Sequence, residues 1–275
     1  MARAFTLLIP LIFAVSMQAQ QPEYLALVKS ESQLQALFML VYSDSLSDKE
    51  ALSDSILTIM RHALAEPGSL EFPWSGLKQI GVVRSEDGKL RVFTWHIMDD
   101  PDHYRYFGFI QVGLKHGKVR VFELTDNGKA QRGVMRLDQS TEDWFGKLYY
   151  QVLTNTYRRK TYYTLLGMDF NDSRSTIKSV EVLSLQRNQP KFEKEMFFKG
   201  SDKVDRVVLE YADRVAISVR FDPELKMITY DHLVPFHPIY ENNLEFYGPD
   251  GSYDGLEFSG GVWTYRKDID ARNVD

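Results

Sequence analysis

KQIGVVRSEDGKLRVFTWHI, residues 78–97, is the stretch whose reading decides the fold class. Its hydrophobic period is two, and Asp87-Gly88 tolerates the positive φ of a tight type I′ turn. Residues 78–86 and 89–97 are therefore expected to pair as an antiparallel hairpin. A second hairpin follows, with 104–114 and 118–125 joined at Lys115-His116-Gly117. The return strands DGKLRVFTW (87–95) and HGKVRVFEL (116–124) look alike. Turn chemistry plus strand alternation accounts for that likeness without duplication.

Downstream, DQSTEDWFG (138–146) reads as a capped single turn and a seam. Strands are expected at 147–157, 161–169, 177–185, 191–198, 205–211 and 214–221. The last of these alternates Val215, Ile217, Val219 and Phe221 with polar or small residues, the pattern of a sheet with one wet face. A strand at 225–233 and short strands at 244–247, 255–258 and 262–266 complete the series, and a polar tail begins at Lys267. Hairpin-length links argue for an antiparallel meander over a parallel α/β sheet. About twelve strands do not stay one open sheet. A barrel, a sandwich and a propeller-like arrangement all satisfy that limit.

Upstream, the period changes to that of helices. Residues 22–42 place Leu27, Leu34, Leu37, Phe38 and Val41 at three- and four-residue spacing. A second helix opens on a capping box, Ser47 with Glu50, and buries a stripe of Leu52, Ile56, Ile59, Met60 and Ala63. Glu66-Pro67-Gly68 stops it. The fold class is thus mainly β, of the α+β type, with an N-terminal helical hairpin (20–68) packed on an antiparallel meander. The β part divides into a first hairpin region (69–137) and a main region (138–266), with 267–275 as the tail.

Before the helices, Arg3 precedes the apolar run FTLLIPLIFAV (5–15), and small residues follow at Ser16 and Ala19. Charged, apolar and then small residues in that order form a signal peptide (1–19), cleaved after Ser16 or Ala19. The run is shorter than the ~20 residues of a membrane span. A periplasmic or secreted protein of roughly 255 residues is expected, with no transmembrane segment once the signal is removed. That length buries enough core to need no staples, in keeping with a chain that has no cysteine and so no disulfide. The net charge of −5 grows one unit more negative when Arg3 leaves, and Lys/Arg blocks are missing. Nucleic acid is therefore not expected as a partner. The 15 Tyr, 17 Phe and 4 Trp mostly lie inside strand-like runs and read as core.

No nucleophile elbow, phosphate loop or H-E-x-x-H motif occurs. Chemistry-bearing residues concentrate at 231–254, where Asp231, His232, His237, Glu241 and Tyr247 are candidate binding residues. Asp250, Ser252 and Asp254 match the front half of a calcium loop, D-x-[DNS]-x-D-G. The back half fails, because Gly261 stands where a bidentate Glu belongs. The bland reading of that motif is a polar turn, so no cofactor is expected unless it is calcium. His232, His237 and Glu241, and separately His96 and His103 with Asp99, Asp100 and Asp102, carry zinc-type ligands. The favoured reading of both sets is solvated loop residues, and Pro235 and Pro238 prevent the helix that would align the first set.

The segments YYTLLGMDFND (162–172), FDPELKMITYDHLVP (221–235) and FYGPDGSYDGLEFSGGVWTYRKDIDARN (246–273) resemble a family of exported proteins of Bacteroidota. DGKLRVFTWHI (87–97), YFGFIQ (106–111) and WFGKLYY (144–150) share the resemblance. It implies export and one continuous architecture, makes 248–254 a recurrent motif, and transfers no catalytic residue. The expected function is a non-enzymatic binding or envelope-associated module whose partner is a small molecule, a glycan or an envelope protein. The alternative is a glycan or peptide hydrolase drawing its acid and base from 231–254. A deep pocket joining Asp231, His232, Asp250 and Asp254 favours the enzyme, and a shallow aromatic surface favours binding.

Overall fold

A computed structural model describes residues 24–43, 48–100, 102–127, 135 and 139–270. The expected signal segment (1–19), Ser47 and the end of the tail lie outside the described residues. Two helices come first, α1 (Leu25–Val41) and α2 (Lys49–Ala65). Their buried stripes, Leu27, Leu34, Phe38 and Val41 against Ile56, Met60, Ala63 and Leu64, follow the expected spacing. The cap of α2 differs from expectation. Asp48 is the N-cap, and its Oδ1 accepts from the backbone N–H groups of Glu50 and Ala51, each at 3.1 Å.

Fifteen strands follow among the described residues, in three sheets. β1 (Gly81–Arg84), β2 (Leu90–Asp100), β3 (His103–Gly113) and β4 (Val119–Thr125) form an antiparallel meander. β5 (Leu148–Tyr157), β6 (Lys160–Asp169) and β7 (Ser175–Gln186) build the second sheet, with β8 (Gln189–Phe192) on the end of β7. β9 (Phe197–Lys199) and β10 (Asp202–Val204) start the third sheet. β11 (Arg206–Ala212) then returns to the second sheet beside β7. β12 (Val219–Asp222), β13 (Met227–Pro235), β14 (Tyr247–Ser259) and β15 (Val262–Arg266) complete the third, in the order β10-β9-β15-β14-β13-β12. Every pairing is antiparallel except β15 with β9. No sheet closes on itself, so the architecture is stacked layers and not a barrel.

The layers follow from period-two alternation. Phe93, Trp95, Ile97 and Phe109 face the helices, while Leu90, Val92, Ile110 and Val112 face the second sheet. On β7, Leu183 joins the first sheet's core, and Val180 and Val182 join the third sheet's core. A sheet buried on both faces is apolar on both, and this one sits mid-stack.

Four local expectations are corrected. The first hairpin does not turn on two residues. Ser85 to Lys89 form its loop, closed by Gly88 N donating to Ser85 O at 2.9 Å, with only Gly88 at positive φ (69°) there. Asp87 instead accepts from Ser85 Oγ and Lys89 N, which favours the longer loop over type I′. The expected strand 191–198 splits into β8 and β9 on different sheets, at Glu195 with φ 52°. Residues 215–218 keep the alternating burial but leave the ladder, so that strand is only β12. Residues 244–246 form a 3-10 turn, and β14 runs for 13 residues through what read as a loop.

Candidate functional site

The segment 231–254 is mostly ladder, not a connection between two short strands. β13 and β14 pair from Met227↔Glu257 to Pro235↔Tyr247, interrupted by one irregularity. Asp231 pairs with Tyr253 and Leu233 with Pro249, so three residues of β14, Asp250 to Ser252, oppose His232 alone. Gly251, at φ 89°, permits this bulge. The half calcium loop is thus a β-bulge. Asp250 Oδ1 accepts from Ser252 N at 2.9 Å and from Ser252 Oγ at 2.7 Å, which closes the bulge on itself. Asp254 lies beyond it, directed elsewhere. Among the described residues no group of three or more His, Asp or Glu side chains is arranged to hold a metal ion.

Asp254 stands opposite Tyr230 in the ladder and is 4% exposed, in a sheet face otherwise given to Ile228, Leu256 and Trp263. A buried carboxylate needs partners to offset its lost hydration. His232 Nδ1 lies 2.7 Å from its Oδ2, Tyr265 Oη donates to the same oxygen at 2.8 Å, and Asp268 N donates to Oδ1 at 3.3 Å. A carboxylate that accepts from Tyr265 and a backbone N–H makes Nδ1 of His232 a donor, so Nε2 carries the lone pair of the neutral ring. Burial, with Asp254 next, raises the Tyr265 and Tyr230 phenols well above their usual range, so both stay protonated. Lys199 Nζ rests over the Tyr265 ring, 4.7 Å from its centre.

These groups form one end of a cleft of about 340 Å³ between the third sheet and β11. That volume is within the ~300–1,000 Å³ typical of small-molecule sites. Its walls are mainly apolar, with Phe197, Phe198, Val204, Val207, Leu209 and Leu256 among them, and Asp202 adds a carboxylate opposite Lys199 in the ladder. Of the four residues whose convergence distinguished an enzyme from a binding surface, Asp231, His232 and Asp254 line the cleft and Asp250 does not. Asp231 also bridges strands, its Oδ2 accepting from Ser218 N at 2.6 Å.

The other candidates lie elsewhere. His237 is exposed and accepts from Ile239 N at 3.3 Å, capping a 3-10 turn. Glu241 is exposed, and Tyr247 Oη accepts from Asn242 N at 3.1 Å. Both sit, with His237, in or beside the excursion that joins β13 to β14. His96 is packed among Tyr104, Tyr106 and Phe170, and Asp102 accepts from Ser173 N. The side chains of Asp99 and Asp100 lie outside the described residues.

Tyr265, Lys199 and the β9–β11 wall went unread in the sequence, since only tertiary pairing brings them together. One signal was legible: Asp254 occupies an inward phase of β14, where an apolar residue is expected. A second buried polar group, Lys147–Glu181–Arg206, also went unread. Glu181 takes both cations and the Tyr149 hydroxyl at 2.7 Å. Burial pushes the Lys147 ammonium down to about 8. Burial opposes ionisation of Glu181 as well, but Lys147 and Arg206 outweigh it and hold the carboxyl below its usual value. The cavity beside it is about 20 Å³, room for a water and not a ligand.

Fold and site together define a layered β protein with an apolar cleft that ends in a His–Asp pair. Comparison with known protein families, with curated proteins and with solved structures finds no match. No helix among the described residues is long and apolar enough to cross a membrane.

Proposed function

We propose that this chain is an exported binding module, periplasmic or secreted, that holds a small amphipathic molecule in the cleft between the third sheet and β11. The observation that carries this reading is the pairing of mainly apolar walls with a polar end, where His232 is fixed by Asp254. Apolar walls reward burial at about 25 cal/mol per Å², and a few placed polar groups set orientation. Among the partner classes, a small amphiphile suits these walls better than a glycan, which needs polar groups along its whole length. Export is supported by Arg3 and the apolar run 5–15, and by the resemblance to exported Bacteroidota proteins.

The test is fluorescence titration of the mature protein with 11-(dansylamino)undecanoate. Saturable enhancement is expected, weakened at least tenfold by Val207→Glu, which places a charge on the cleft wall. No enhancement with wild type, or an equal Kd in the variant, sinks the reading. Cell fractionation that found the protein in the cytoplasm would sink the export half.

A further inference from the structure

We infer that the same cleft is a hydrolytic site for carboxylic esters, with His232 as general base toward water. The inference rests on the cleft reading above and adds chemistry to it. The geometry has three parts. First, Asp254 accepts the Nδ1–H of His232 at 2.7 Å, which fixes the ring and its tautomer and leaves Nε2 as the basic nitrogen. No described residue hydrogen-bonds that nitrogen, and the side chain of His232 is 29% exposed, so solvent and ligand reach it. A buried carboxylate behind an imidazole also stabilises the imidazolium that proton uptake creates.

Second, the described lining of the cleft contains no Ser, Thr or Cys. With no hydroxyl or thiol nucleophile of that kind in the described lining, the attacking group of this step is a water activated by His232. Third, the apolar walls accept an acyl chain, while Lys199, held over Tyr265 and paired across the ladder with Asp202, is the one lysine of the described lining and faces the polar end where a carbonyl oxygen would become an oxyanion. The step balances without a further co-reactant. Nε2 of His232 takes a proton from water as the water oxygen bonds to the acyl carbon. Collapse of the tetrahedral adduct breaks the acyl C–O bond, and the imidazolium returns the proton to the departing alkoxide. Ester and water become acid and alcohol. His232 is the catalytic residue and Asp254 a positioning residue.

The test is multiple-turnover hydrolysis of p-nitrophenyl butyrate by the mature protein, beside the dansyl-undecanoate titration on the same samples. His232→Gln is expected to lower kcat about a hundredfold, the usual contribution of a general base, with probe binding weaker but still saturable. Asp254→Asn is expected to lower kcat with KM nearly unchanged and with the number of dansyl-undecanoate sites per chain equal to wild type's, so that the loss is not one of folded protein. His237→Ala, an exposed imidazole outside the cleft, is expected to match wild type and so controls for adventitious imidazole reactivity. Wild type no faster than His232→Gln, with probe binding intact in both, overturns the hydrolytic inference and leaves the binding reading standing. Loss of rate in His237→Ala equal to that in His232→Gln overturns it as well. Failure of the probe to bind wild type removes the binding reading itself.

Discussion

His96 carries a consequence at the scale of one residue. The rings of Tyr42, Tyr104, Tyr106 and Phe170 surround it, with centroid separations between 4.8 and 5.9 Å. Burial pushes its imidazole down to about 4. An unfolded chain binds that proton near pH 6.5, so the folded state holds a neutral ring where the unfolded state holds a charged one. The stability this represents is complete above about pH 6.5 and disappears as pH falls through about 4. Between pH 7 and 4.5 the loss from this group alone is about 2–3 kcal/mol. Urea unfolding at those two pH values measures it. His96→Phe keeps the ring and removes the titration, so its midpoint should fall less than wild type's on acidification. An equal fall would remove His96 as the cause.

At the scale of elements, the α2 cap and the β14 bulge are the informative pieces. Asp48→Ala deletes the acceptor of two backbone N–H groups and is expected to cost about 1 kcal/mol, read as a lower urea midpoint with unchanged slope. Gly251→Ala forces a Cβ onto a backbone at φ 89°. No neighbour lies within 4 Å of that Cβ, so any loss reports backbone strain alone. About 1 kcal/mol is expected, with weaker dansyl-undecanoate binding as His232 loses its aim. The same two elements show what was legible beforehand. The helices, both N-terminal hairpins and the meander were readable because periodicity and Gly-bearing turns act locally. The cap slid by one residue because Ser47 and Asp48 are both good acceptors and spacing does not choose between them. The bulge read as a loop because Asp-Gly-Ser is turn chemistry in either setting. Lys199 stayed hidden, since its place over Tyr265 depends on a parallel pairing of β15 with β9 that no local pattern encodes, whereas Tyr265 reaches Asp254 across the antiparallel β14–β15 hairpin.

At the scale of the molecule, the Lys147–Glu181–Arg206 group stands where stacked layers meet a buried charge. Glu181→Gln removes the carboxylate that both buried cations share and is expected to cost about 3–5 kcal/mol, measured by urea unfolding at pH 7. A change below 1 kcal/mol would mean that water already shares those cations. The layers also meet at Gly81, where an added Cβ would lie 2.7 Å from Tyr149 O on β5. The third sheet sets a different condition. Its order places β15, the last strand in sequence, between β9 and β14 rather than at an edge. Until residues 262–266 arrive, β9 has no β15 to pair with, Thr164 lacks the indole of Trp263 (2.9 Å), and Asp254 lacks Tyr265. The cleft is therefore incomplete until β15 takes its place between strands that precede it in sequence. A polypeptide stopped after Ser259 would lack the strand that joins β9 to β14, and with it the indole of Trp263 and the phenol of Tyr265 that completes the polar end of the cleft.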